Sequence, residues 1–244
     1  MKRQSLNCAA LDAIHRRASL ALLKPWLAAV AALSMVTGAQ AGLVNRGGGM
    51  VYDDVLNITW LSDWNYSGTT HYALAVNGRM TQPDAHDWAQ SLVYGGYDDW
   101  RLPTTGQPDA SCSATYEPGF GYPTQYLGFN CTGSEMGHIF YADLGGNAGE
   151  SVHDATGDTA QEIANLALFV NVHSFNYWSG TIPDTFAGIR WTFSMFDGEQ
   201  NYTGAIGSTL RAVAVRPGDV VSQVPEPQTL ALVLLGLAAL ARKP

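Results

Sequence analysis

The residues of this chain that could do chemistry are spaced so that no familiar catalytic unit assembles along the sequence. Downstream of the N-terminal region the histidines are His71, His86, His138, His153 and His173, and no two stand at the i, i+4 spacing of a helical zinc clamp. Ser151-Val152-His153-Asp154 holds the residue types of a hydrolase triad, but near neighbours in sequence do not converge as one. No Gly-x-Ser-x-Gly elbow is present, and Gly47-Gly48-Gly49 lacks the lysine and helix of a phosphate loop. Asp53-Asp54, Asp98-Asp99 and Asp197 with Glu199 supply hard oxygen ligands without the spacing of an EF-hand, so calcium is the one cofactor they suggest. The expectation is a protein that is not an enzyme.

Binding chemistry is better represented. Tyr177, Trp178, Trp191, Phe196 and Tyr202 gather in the C-terminal third with Asn176, Arg190 and Gln200, a mixture able to stack on a sugar and hydrogen-bond its hydroxyls. Trp178, Arg190 and Tyr202 are the candidate ligand contacts. Tyr202 stands near a hairpin tip, whereas Trp191 fits a core position better than a platform.

These residues lie between two segments that read as addresses. Lys2, Arg3, Arg16, Arg17 and Lys24 form a basic n-region, Trp26 to Val36 an apolar run, and Ala39-Gln40-Ala41 a small-x-small cleavage site, so residues 1–41 read as a signal peptide cut before Gly42. At the other end, Val224-Pro225-Glu226-Pro227 precedes an apolar run from Leu230 to Leu240 and the basic pair Arg242-Lys243. That run is shorter than the roughly 20 residues that span a bilayer. It suits transient membrane insertion better than a permanent anchor. The order resembles the PEP-CTERM sorting signal of Gram-negative bacteria, with Pro225, Glu226 and Pro227 as its motif. The resemblance implies signal peptidase and exosortase as processing partners and delivery to the cell surface or extracellular matrix.

Between the addresses, residues 42–220 are of a size for one globular domain. With residues 221–223, which are uncharged, this part of the chain has six arginines, no lysine and nineteen acidic residues, a net charge of −13. Such a surface repels phosphate backbones, so nucleic acid is excluded as a partner. Cys112 and Cys131, an even pair in an exported protein, read as a disulfide around a loop rich in Pro, Gly and Tyr.

The pattern predicts a hairpin from Met50–Tyr52 and Ile58–Leu61, and a helix capped by Thr81 with Ala85, Trp88, Ala89 and Leu92 on one face, ending at Gly95-Gly96. A second helix opens at Ser134, buries Met136, Ile139, Phe140 and Leu144, and stops at Gly145-Gly146. Residues 145–160 read as a surface loop. Ile189 to Met195 alternates as a half-buried strand, Asp197-Gly198 is a turn, and Tyr177–Thr181 and Leu210–Val215 complete a small twisted antiparallel sheet, the last strand covered on both faces. The fold class is α+β, with two helices and long loops.

Tyr52-Asp53-Asp54 through Leu61, Gly95 to Thr104, Ser134-Glu135-Met136, Tyr177 to Thr181 and Ala212 to Asp219 follow the order of the Lcl C-terminal domain family, named for a bacterial collagen-like adhesin. The resemblance implies a C-type-lectin-like fold with its first and last strands close together. Trp100-Arg101-Leu102-Pro103-Thr104 is its most specific piece, and is similar also to a segment of formylglycine-generating-enzyme modules. In that segment Trp100 and Leu102 are expected to point inward and Arg101 to make charge-assisted bonds to a nearby carboxylate such as Asp98 or Asp99. The family adhesin is linked to sulfated glycans, but the negative balance here favours a neutral or calcium-bridged extracellular polysaccharide. The rivals are a purely structural matrix component and a formylglycine-generating-enzyme-like oxidoreductase, which would need free thiols at Cys112 and Cys131.

Overall fold

The computed structural model describes residues 42–72, 76–182, 189–204 and 207–220. In chain order the elements are β1 (Leu43–Gly47), β2 (Met50–Asp53), β3 (Ile58–Leu61), α1 (Tyr66–Thr69), α2 (Gln82–Ser91), β4 (Ala114–Tyr116), β5 (Gln125–Leu127), α3 (Glu135–His138), a π turn (Ile139–Asp143), α4 (Ala160–Leu166), β6 (Asn176–Trp178), β7 (Arg190–Ser194), β8 (Gln200–Thr203) and β9 (Val215–Pro217).

This is an α+β arrangement of antiparallel sheets. The order β1-β2-β3-β9 makes one sheet, β6-β7-β8 a second, and β4-β5 a separate hairpin. Val215 pairs with Trp60 and Pro217 with Ile58, so the first and last strands share a sheet, as expected. The predicted single sheet of Tyr177–Thr181, Ile189–Met195 and Leu210–Val215 is corrected. Leu210 and Arg211 only touch Met80 and Tyr177 through isolated bridges, and the strand that follows joins β3 instead.

The reason is the two-sided burial of that last stretch. Ala212 and Ala214 pack into a core with Leu61, Trp88, Trp100 and Trp178, while Val213 and Val215 pack into another with Trp60, Trp64, Phe140 and Phe193. A short run that must fill two cores at once lies between the sheets rather than extending one of them. β7 shows the same pressure. Thr192 and Ser194, expected to face water, are buried beside Trp191 and Phe193, in a groove whose walls include Ser208 and Leu210.

The helix starts follow their caps. Thr81 accepts from the Asp84 amide and Ser134 from the Gly137 amide. The stop of α2 does not follow the glycines. Leu92 already has extended backbone, and Gly95 and Gly96, both at positive φ, form the tight turn that bonds Tyr94 to Tyr97. Residues 145–160 are largely loop, but they end in the unpredicted α4, held by a capping box between Thr159 and Glu162.

Arg101 makes the expected carboxylate pair, but with a partner distant in sequence. Its guanidinium reaches Glu135 rather than Asp98 or Asp99, at 2.8 and 2.6 Å, and Glu135 accepts in addition from the Thr104 amide. Asp99 instead takes both arms of Arg216, which holds its carboxyl below the usual range. Trp100 and Leu102 are buried, as their alternation with Arg101 implies.

Candidate functional site

A cleft of about 400 Å³ lies between β7 and the loop closed by Cys112–Cys131. Its walls are built by local pairing. Gln107 reads the Tyr126 backbone in both directions, its amide donating to the carbonyl at 2.7 Å and its oxygen accepting from the N–H at 2.9 Å. Gln200 donates to the same carbonyl at 3.0 Å, tying β5 to the start of β8. Asp109 accepts from the Gly133 and Ser111 amides and closes the base of the loop.

The disulfide forms as the sequence implied. It takes up both thiols that an oxidase would need free. Replacing both cysteines by serine should lower unfolding stability by about 3 kcal/mol, since the bond closes a loop of some 19 residues. Denaturant unfolding of the double variant checks this, and an unchanged midpoint would show the loop to be held by Gln107 and Asp109 alone.

Trp191 lies at the cleft floor, with Gln107, Thr124, Gln125, Tyr126 and Ile182 around it. Its indole N–H has no hydrogen-bond partner among the described residues. Tyr202 braces the indole edge-on at 5.6 Å, and Tyr116 leans on Tyr202 at 6.2 Å. Trp191 itself is fully buried, so the partly exposed Tyr126 ring is the one that can pack against an apolar sugar face, with the Gln107 amide and Thr124 hydroxyl beside it to bond its hydroxyls.

The three candidate ligand residues do not converge. Trp178 is buried, and its indole donates to the Met80 carbonyl at 2.7 Å, a core role. Arg190 bonds Gln82 and lines a neighbouring cavity of about 290 Å³ that shares Ile182 with the cleft. Tyr202 stands edge-on beside Trp191, its cross-strand partner, and also borders a polar groove of about 240 Å³ lined by Thr192, Ser194 and Asn201. Sequence reasoning missed Gln107 and Tyr126, because what makes them site residues is a pairing inside an irregular loop.

The other chemistry-bearing groups are accounted for individually. His153 turns its ring to the Val172 carbonyl while Ser151 bonds Ser174, so no triad forms. Asp197 accepts from the Glu199 amide, and Glu199 accepts from the Asn201 side chain. Asp53 uses one oxygen to hold the turn amides of Val55 and Leu56. Its other oxygen is free and faces inward near His138 and Asp143.

The C-terminal segment decides how the chain is handled. Residues 223–243 match the PEP-CTERM protein-sorting motif. The PEP-CTERM tail marks an exported protein sorted by exosortase to the envelope or surface of a Gram-negative bacterium. No curated protein and no solved structure matches the chain. Pro225, Glu226 and Pro227, the expected inserting run, and Ala39 and Ala41 lie outside the described residues. Among the described residues no helix is long and apolar enough to cross a membrane.

Proposed function

We propose that residues 42–220 form a non-catalytic, C-type-lectin-like adhesive domain that binds neutral extracellular polysaccharide in the Trp191 cleft, after removal of both addresses. The observation that carries this reading is the cleft itself: a concavity walled by the Tyr126 ring, the Gln107 amide and the Thr124 hydroxyl over the buried Trp191. Its volume falls within the range of small-ligand sites. The resemblance to the Lcl C-terminal domain family supports the lectin-like reading, and the negative charge favours an uncharged glycan over a sulfated one. The start of the domain suits cleavage before Gly42. The Gly42 nitrogen lies 2.6 Å from an Asp54 carboxylate oxygen, where a new ammonium group would gain an ion pair.

A calcium-bridged glycan would draw on Glu199, the carboxylate that borders the polar groove. Binding of the processed protein to an array of neutral glycans, with and without calcium, tests the proposal. Tyr126→Ala and Tyr202→Ala should each weaken binding about tenfold, the first by removing a wall and the second by loosening the Trp191 floor. Loss of signal on calcium removal alone would shift the site to the Glu199 groove. A clean negative across the array would favour a structural matrix component without a specific ligand.

A further inference from the structure

Asp53, His138 and Asp143 come together away from the cleft, each from a different local device. Asp53 ends β2, His138 ends α3, and Asp143 closes the π turn. One carboxylate oxygen from each aspartate and one ring nitrogen of His138 all lie within 4.8 Å of one another. Asp53 is fully buried and Asp143 is 5% exposed, yet Asp53 Oδ2, Asp143 Oδ2 and His138 Nε2 make no hydrogen bond among the described residues. His138 Nε2 is 3.5 Å from Asp143 Oδ2, close enough for attraction but without hydrogen-bond geometry.

Two carboxylates buried together need a positive charge. The domain contains no lysine, and its six arginines are engaged elsewhere: Arg46 with Asp219, Arg79 with Thr209, Arg101 with Glu135, Arg190 with Gln82, Arg211 with Asn65 and Arg216 with Asp99. The π turn is the second peculiarity. In an ordinary α-helix residues five apart diverge around the axis, whereas the wider turn brings His138 and Asp143 onto one side. Such turns gather at functional sites.

We propose that Asp53, His138 and Asp143 bind a divalent first-row transition cation, with zinc as the representative ion. One imidazole and two carboxylates form a mixed nitrogen and oxygen set that suits zinc better than calcium, which takes oxygen ligands throughout. Donors around a tetrahedral zinc lie about 3.4 Å apart, so the three side chains close inward by about an ångström on binding. His138 is only partly buried, although all three donor atoms are themselves shielded from solvent. The ion would tie the N-terminal sheet to the helix that carries Glu135.

The exported chain, stripped with chelator and dialysed, is titrated with zinc chloride by calorimetry, with circular dichroism to confirm the fold of each variant. One zinc per chain is expected. Asp143→Asn and His138→Gln should each weaken binding at least about 100-fold, beyond the loss typical of an outer-shell partner, and the exposed His86→Ala should leave it unchanged. His138→Gln, at a partly exposed position, provides the second and independent arm of the test. Absence of zinc uptake, affinity indifferent to both substitutions, or displacement of zinc by equimolar calcium would each overturn the proposal.

Discussion

In chelator, Asp143→Asn should stabilise the protein at pH 8 by about 4 kcal/mol, and by almost nothing at pH 4. The Asp143 carboxyl moves from 3.8 to about 7 on folding, chiefly because burial penalises its charged form. The folded state therefore holds a proton that the unfolded chain has released between these values, and stability falls as pH rises through that window. Three pH units at about 1.4 kcal/mol each set the magnitude. An asparagine amide carries no charge to bury and can donate to Asp53 Oδ2 or to the His138 ring. For a domain of this size the change corresponds to roughly 10 °C in melting temperature. Thermal unfolding against pH checks it, and parallel profiles for the two proteins would show that Asp143 ionises as freely folded as unfolded. Saturating zinc should reverse the sign at pH 8, because the wild-type site then has its cation and the variant has lost a ligand. That reversal separates a cation site from a pair that merely shares a proton.

Features set by residues close in sequence were legible without the structure. Thr81 and Ser134 cap helices because their hydroxyls reach amides three residues on. Trp100 and Leu102 bracket Arg101 with the period of a strand, and both are buried. The alternation in 212–215 implied cover on both sides, which the two cores provide. Partners chosen across long separations were not legible. Glu135 stands 34 residues beyond Arg101, and no local pattern prefers it to the adjacent Asp98 and Asp99. The π turn adds a residue without changing the apolar pattern of Met136, Ile139 and Phe140, so nothing in the sequence marked Asp143. The cleft was hidden for a different reason. The Pro, Gly and Tyr composition of the disulfide loop reads as irregular, and β4 and β5 contain only three residues each.

Gly137→Ala should cost more than about 3 kcal/mol, at the severe end of single substitutions. The backbone angle is not the cause, since Gly137 is helical and alanine is the better helix former. The obstacle is the Cys131 carbonyl, which crosses α3 so closely that an added methyl group would collide with its oxygen, and would lie 2.9 Å from the Ser134 hydroxyl. Neither neighbour can yield cheaply. Cys131 is held by its disulfide, and Ser134 is engaged as the helix cap, its hydroxyl accepting from the Gly137 amide at 2.9 Å. Relief therefore requires α3 to move as a unit, drawing Glu135 away from Arg101 and His138 away from Asp53. The same movement disturbs the Trp191 cleft, whose outer wall hangs from the disulfide loop. Denaturant unfolding measures the stability loss, and zinc and glycan titrations of whatever fraction stays folded measure the displacement. A variant with wild-type stability would mean that the loop lies further from the helix, and the mechanical link between the two sites would fall with it.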